Sequence, residues 1–182
     1  MKKKADLDVS DCEAQTCKIN EQLFAWFQAT ERHIIFDSDI DEQSHTSFYQ
    51  SVLHKPNLCF IFEDSKGEKF GFFTTQPLCK TGNWKFNVGR HFIFKLPTKK
   101  SKDAHRYYPD PREQCGICLF EEGVLICACG GLNGVGVLGI SRTSSKGSIH
   151  ICLSAVYNMT DDLTSCPSRL FVMERIVVIQ YY

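Results

Sequence analysis

The sequence predicts an α+β fold: a two-sheet antiparallel β-sandwich flanked by a few helices. Helical spacing of apolar residues is confined to two segments before Pro56. The rest of the chain consists of short apolar runs, each bounded by Gly, Pro, Asn, Asp or Ser. Clustered helices followed by many short strands are typical of packed antiparallel sheets and not of alternating βαβ units.

The first helix is expected to begin at Asn20, a suitable N-cap, and to end near Thr30. Its apolar face has the i, i+4, i+7, i+8 spacing of Ile19, Leu23, Trp26 and Phe27. A second helix is predicted from Ser44 to Leu53, since Pro56 prevents its continuation. Between the two helices, Ile34 to Phe36 is predicted to form a short buried strand.

After Pro56 the pattern changes to strands. A hairpin is predicted from Leu58 to Phe73, with its turn at residues 64–67. Six further strands are expected: His91 to Leu96, Gly116 to Phe120, Val124 to Cys129, Val135 to Ile140, Ser148 to Leu153 and Phe171 to Gln180. The polar, basic stretch from Pro97 to Gln114 is interpreted as a surface loop.

The 182 residues are expected to form one domain, residues 19–182, preceded by a flexible N-terminal arm, residues 1–18. Lys+Arg and Asp+Glu number 21 each, so binding to nucleic acid or an anionic membrane would require a local patch. No apolar run approaches the roughly 18 residues of a membrane-spanning helix, and the first residues lack a signal-peptide pattern. We therefore expect an intracellular protein, cytoplasmic or nuclear, whose ten cysteines are reduced.

Several segments resemble the TLDc domain family. In the first half they are Ile34 to Ser38, Ser47 to Tyr49, Asn57 to Asp64 with Lys69 to Phe73, and His91 to Leu96. In the second half, Leu125 to Gly131 and Val137 to Ile140 resemble the family's glycine-bearing strand pair, and Phe171 to Gln180 resembles its closing strand. The most specific piece is the hairpin that contains Phe70-Gly71, where the glycine allows close packing or a bend.

The resemblance implies a two-sheet β-sandwich flanked by helices, a link to protection against oxidative damage and, in several members, association with the vacuolar proton ATPase. It implies no catalytic residues and no cofactor. The chain departs from the common pattern in its closing strand, which reads Met173 to Gln180 where many members place Glu-Val-Trp, and in its long basic loop. No other domain is expected beside it, so the resemblance is to a stand-alone TLDc domain.

The most specific candidate for a metal-binding or redox site is a group of four thiols: Cys115, Cys118, Cys127 and Cys129. Paired thiols on a hairpin are how many tetrahedral zinc sites are built. However, Cys115 and Cys118 are three residues apart and point to opposite faces of an extended strand. A catalytic dithiol would also require a helix N-terminus, which is not predicted here. Ordinary strand thiols are therefore the favoured interpretation, with a zinc or redox site as the alternative.

The predicted loop offers a second candidate site, for nucleic acid or another anion. Cations interleaved with stackable rings can hold phosphate groups and bases, although such runs are usually solvated loops. The residues are Lys95, Lys99, Lys100, Lys102, Arg106, Tyr107, Tyr108 and Arg112.

Three hypotheses follow. The leading one is a non-enzymatic module that acts through protein contacts in an oxidative-stress or proton-pump context. The alternatives are a nucleic-acid-binding regulator that uses the basic loop and a thiol redox or zinc-dependent protein. Residues 134–139 match the dinucleotide pattern GxGxxG, but a strand and loop follow where a helix is required, so no nucleotide cofactor is expected.

Overall fold

The computed structural model describes residues 21–86, 89–98, 103–130, 136–160, 162–165 and 169–182. The predicted arm, residues 1–18, and the predicted N-cap Asn20 lie outside these ranges. Within them, no helix has both the length and the apolar character needed to cross a membrane.

Three helices are present in the described residues. Helix α1 covers residues 21–27 and ends where Gln28 adopts a left-handed backbone (φ 56°) and donates its N–H to the carbonyl of Phe24 at 2.9 Å. Helix α2 spans His45–Val52 and is capped by Ser44, whose hydroxyl accepts the N–H of Ser47. Helix α3, Leu153–Val156, is a single turn. The first two helices were predicted, whereas α3 was not.

The described residues contain eleven strands. All of their pairings are antiparallel, and six of the ten join strands that are consecutive in the chain. The strands are β1 Arg32–Asp37, β2 Leu58–Asp64, β3 Lys69–Thr74, β4 Trp84–Phe86, β5 His91–Lys95, β6 His105–Tyr107, β7 Gly116–Leu119, β8 Leu125–Gly130, β9 Gly136–Ser141, β10 Lys146–Ile149 and β11 Leu170–Tyr181.

The strands form one continuous antiparallel sheet in the order β4-β7-β8-β9-β10-β11-β2-β3-β5-β6, with β1 on β11. Strand β11 is twelve residues long and changes partners along its length. Its first residues pair with β10 and its last with β1, while β2 lies along its other side. One long strand therefore links all parts of the sheet.

The antiparallel, β-rich fold with few helices is confirmed. The expected division into two separate sheets is not what the hydrogen bonds show, because β11 belongs to both halves and leaves no break between them. Side chains from both halves nevertheless meet in one core, which includes Phe60 and Phe72 from one half and Ile117 and Leu138 from the other.

Two local predictions were wrong, and one strand was not predicted. The segment predicted as a loop from Pro97 to Gln114 contains β6, whose register places Tyr107 opposite Ile93 of β5. Strand β4 was missed because only three residues pair. The strand predicted from Ser148 to Leu153 ends at Ile149, and α3 begins at Leu153. Short edge strands contain too few residues to show the alternation of apolar and polar side chains by which strands are recognised from sequence.

Helix α1 covers the face of the sheet opposite the main core. Trp26 and Phe27 pack there on Phe92 of β5, and Phe27 stacks on Phe73 with ring centroids 4.3 Å apart. Ile179 and Tyr181 of β11 belong to this second cluster, whereas Ile176 and Val178 belong to the main core. Both faces of β11 are therefore buried.

Gly71 of β3 sits where no side chain fits. A Cβ at this position would lie 1.9 Å from the carbonyl oxygen of Phe60 and 2.6 Å from the ring of Phe94. The sequence prediction that this glycine permits close packing is confirmed.

We predict that Gly71→Ala lowers the free energy of unfolding by about 3 kcal/mol or more, since backbone atoms of a paired strand must move. Urea unfolding followed by circular dichroism measures this change. The matched control is Gly67→Asn in the β2–β3 turn, where the backbone is left-handed and a Cβ would have no neighbouring atom within 4 Å. Equal losses in the two variants would show that the crowding at Gly71 is not the cause.

Candidate functional site

The four thiols singled out by sequence lie on β7 and β8 or just before them, but they do not converge on one point. Ile117 is paired with Cys129, Cys118 with Ala128, and Leu119 with Cys127. Because directly paired residues share a face, Cys118 lies on the face opposite Cys127 and Cys129. Across the described ranges, no three His, Cys, Asp or Glu residues are placed to hold a metal ion.

Two of these thiols, Cys115 and Cys129, instead meet at the hydroxyl of Tyr157, which follows α3. That hydroxyl also lies 2.7 Å from Nε2 of His91, whose Nδ1 lies 2.8 Å from the carbonyl oxygen of Phe73. A carbonyl can only accept, so Nδ1 carries the proton and Nε2 accepts from Tyr157. The result is a cluster of buried polar groups in which hydrogen bonds join β3, His91 of β5 and Tyr157, and the Tyr157 hydroxyl adjoins the thiols of Cys115 and Cys129. We call His91, Tyr157, Cys115 and Cys129 the buried network.

Sequence reasoning missed His91 and Tyr157. Both are buried, His91 at 4% exposure and Tyr157 at 0%. His91 begins a predicted strand, and Tyr157 lies in a segment with no motif. Only tertiary contacts bring them to the two thiols.

Burial keeps the network uncharged. It lowers the pKa of His91 to about 4, against a smaller opposing effect of the Phe73 carbonyl. Burial also raises the pKa of Cys115 to about 11 and that of Cys129 to about 12, although the Tyr157 hydroxyl partly offsets each rise. Because the thiolate is the nucleophile and the metal ligand, protonated thiols of this kind react slowly at neutral pH.

The other two thiols have the same character. Burial raises the pKa of Cys118, and raises that of Cys127 well above its ordinary value. By contrast, Cys79 and Cys152 are exposed. The accessible thiols of the described chain are therefore not those of the sequence motif.

The predicted basic site is divided by the structure. Lys99, Lys100 and Lys102 lie outside the described residues. Lys95 is largely buried, with its Nζ 3.6 Å from Oε2 of Glu68 and 2.9 Å from the carbonyl oxygen of Asp162.

The other predicted loop residues differ in their environments. Arg112 forms a two-point ion pair with the Asp110 carboxylate at 2.8 and 2.9 Å. Tyr107 is buried in the main core. Among the predicted loop residues that the structure describes, Arg106 and Tyr108 alone retain the environment expected of a binding surface.

Arg106 and Tyr108 are exposed near the end of α1, beside the buried rings of Trp26 and Phe92. The guanidinium carbon of Arg106 lies 5.6 Å from the ring centroid of Tyr108, 5.9 Å from that of Trp26 and 6.0 Å from that of Phe92. Arg90 adds a second cation there and donates from Nη2 to the carbonyl of Trp26 at 2.7 Å. We call Arg90, Arg106 and Tyr108, which lie over the buried rings of Trp26 and Phe92, the arginine surface.

A cavity of about 210 Å³ lies between the end of β10, α3 and residues 159–164. Its wall includes Leu153 and Met159, and His150, Asp162 and Arg169 supply polar groups. The charges are of both signs, so the lining identifies no ligand class.

We predict that the buried network makes stability depend on pH. Since the pKa of His91 falls from 6.5 to about 4 on folding, the unfolded chain takes up a proton that the folded chain refuses. The contribution of neutral, buried His91 to the free energy of unfolding is complete above pH 6.5 and is lost progressively as the pH falls towards 4. The total loss is roughly 3 kcal/mol.

Urea unfolding between pH 7.5 and 4.5 tests this prediction. His91→Phe should be less stable at neutral pH but should show a flatter pH profile than the unmodified protein. His54→Gln, at an exposed histidine, should leave the profile unchanged. A His91→Phe profile as steep as that of the unmodified protein would refute the assignment.

We further predict that the thiols differ in alkylation rate according to burial. In a short pulse of iodoacetamide read by peptide mass spectrometry, Cys79 and Cys152 should be labelled, whereas Cys115, Cys118, Cys127 and Cys129 should react only after unfolding. Rapid labelling of Cys115 in folded protein would contradict the raised pKa.

Comparison with known proteins identifies the family of the chain. The family model of the TLDc domain matches residues 12–158 of the chain. A search of curated proteins finds no match to the chain. The match ends before β11, the strand that links the sheet. Since the matched residues make up most of the chain, the protein belongs to the TLDc domain family.

Proposed function

We propose that the protein is a TLDc module that acts through contacts with a protein partner and not by catalysis. The family is linked to oxidative-stress resistance, and family membership is the observation that carries the proposal. The geometry supports a non-catalytic role, since the four motif thiols are buried with raised pKa values and His91 is buried and neutral. These are not the properties of an activated nucleophile or of a base poised near neutral pH.

The arginine surface is the proposed contact with the partner. Arg106 is exposed, and its guanidinium lies over the rings of Trp26 and Tyr108, which restrict its motion. Little side-chain entropy is therefore lost when a partner binds it. Arginine and tyrosine are the residue types most often responsible for binding energy at protein interfaces. The complementary partner surface is acidic, and a subunit of the vacuolar proton ATPase is the candidate that the family suggests. We place this interaction inside the cell.

Nucleic acid is the second candidate ligand of the same surface. Tyr108 is 44% exposed and stands beside a cation, which is the arrangement on which an unpaired base can stack. The pairing of Lys95 with Glu68 and of Arg112 with Asp110 weakens this candidate, because it leaves fewer cations for a phosphate backbone.

A redox or zinc-dependent function is the least supported alternative. It would require Cys115, Cys118, Cys127 and Cys129 to act together, yet Cys118 lies on the opposite face of the sheet from the other β-strand thiols.

For the fold itself, we propose that the two halves of the sheet face one another as two layers across the shared core.

Affinity purification of the intact protein from its own cells, with and without peroxide, tests the proposed function. We expect a defined protein partner whose recovery falls at least about tenfold in an Arg106→Ala, Tyr108→Ala variant. Arg169→Ala, at an exposed arginine away from this surface, is the matched control and should retain the partner.

Two outcomes would count against the proposal. Recovery of a specific DNA or RNA that disappears in the Arg106→Ala, Tyr108→Ala variant would favour the nucleic-acid regulator. Partner recovery equal in all three proteins would remove the arginine surface from consideration.

A further inference from the structure

The two arginines of the arginine surface carry positive charges that no carboxylate of the described residues neutralises. Arg112 and Arg175, by contrast, are each paired with aspartate. Arg106 is exposed and lies over aromatic rings, and Arg90 is partly exposed and donates one hydrogen bond to a backbone carbonyl. Because a guanidinium has five N–H donors, most of the donors of this pair are available to an anion.

Both guanidinium groups lie near the same ring. The guanidinium carbon of Arg90 is 5.9 Å from the centroid of Phe92, and that of Arg106 is 6.0 Å from it, so the two carbons are at most about 12 Å apart. Strand alternation places Arg90 on the face of Phe92, and the pairing of Arg106 with Phe94 brings Arg106 to that face as well. Two arginines that hold one phosphate group keep these carbons about 8 Å apart, a separation that side-chain rotation gives here.

The charge of the pair indicates which anion fits. Two guanidiniums carry two positive charges, whereas a carboxylate offers one negative charge and two oxygens. A phosphate monoester carries about −1.5 to −2 charges at pH 7 and three terminal oxygens, which is enough for two arginines. A phosphodiester of nucleic acid carries a single charge per phosphate. The arginine surface therefore fits a phosphate monoester better than it fits either of the other groups.

Tyr108 indicates what the phosphate is attached to. Its ring is 44% exposed, lies 5.6 Å from the guanidinium carbon of Arg106 and meets the ring of Phe92 edge-on with centroids 5.4 Å apart. An aromatic ring that carries the bound phosphate can pack on this exposed ring, whereas the short side chain of phosphoserine would leave it in water.

We propose that the arginine surface binds a phosphotyrosine side chain of the protein partner. Arg90 and Arg106 hold the phosphate, and Tyr108 packs on the ring of the phosphotyrosine. This inference rests on the proposed function, because it names the group that the partner presents to this surface. Since the phosphate supplies the charge that the arginines bind, phosphorylation of the partner switches the interaction on.

Fluorescence anisotropy of a labelled peptide tests the site on the full chain. The probe is fluorescein-Gly-Gly-phosphotyrosine-Gly-Gly, compared with the same peptide carrying tyrosine, glutamate or phosphoserine at the central position. We expect the phosphotyrosine peptide to bind at least about tenfold more tightly than the tyrosine and glutamate peptides, and more tightly than the phosphoserine peptide.

Arg106→Gln should weaken binding of the phosphotyrosine peptide at least about tenfold, because it removes one of the two charges. This variant leaves the hydrogen bond from Arg90 to the carbonyl of Trp26 in place, so α1 should stay docked. Arg112→Gln is the matched control and should bind normally, since that arginine already pairs with Asp110.

Three results of the peptide experiment would overturn the proposal. They are equal binding of the phosphotyrosine and glutamate peptides, unchanged binding by Arg106→Gln, and stronger competition by a thymidine oligonucleotide or by vesicles that contain a phosphatidylinositol phosphate. Equal affinity for the phosphoserine peptide would overturn the choice of tyrosine.

Phosphatase treatment separates this inference from the proposed function. When the cell extract is treated with a tyrosine phosphatase before affinity purification, recovery of the partner should fall at least about tenfold. Undiminished recovery that still depends on Arg106 and Tyr108 would overturn phosphotyrosine recognition and leave the proposed contact standing. Recovery that depends on neither residue would overturn both.

Discussion

The pairing of β11 with three other strands is the constraint on which the rest of the structure depends. Two of its partners, β1 and β2, come from the start of the described chain and the third, β10, from near its end, and none of the three pairs directly with another. Bringing the end of the chain to β2 costs loop-closure entropy before any contact is formed. Apolar side chains on both faces of β11 offset that cost, since Val178 faces the main core and Ile179 faces α1.

The buried network shows how the same residue types lose their reactivity inside such a fold. Cysteine, histidine and tyrosine are the usual components of catalytic sites, but here each is surrounded by apolar side chains that disfavour its charged form. The hydrogen bonds between them satisfy polar groups that would otherwise be buried without partners. A structural role for His91 and Tyr157 follows, because they connect strands that are far apart in the order of the sheet.

The surface chemistry depends equally on neighbours. A run of basic residues suggested one positive loop, yet in the structure Glu68 pairs with Lys95, and Asp110 pairs with Arg112. Arg106 alone among the described cations of that loop lies over aromatic rings from other elements. The local sequence could predict Tyr108 as its neighbour but not Trp26 or Phe92, which come from α1 and β5.

The sequence by itself determined the class of the fold, most of its strands, the first two helices and the family. Apolar periodicity and turn residues are local signals, and they predicted β1, β2, β3, β5, β7, β8, β9 and β11. Tertiary structure decided which thiols lie together, that His91 and Tyr157 join them, and that one continuous sheet replaces two. Burial, hydrogen-bond partners and the pairing of distant strands are properties of the packed chain, and no local pattern specifies them.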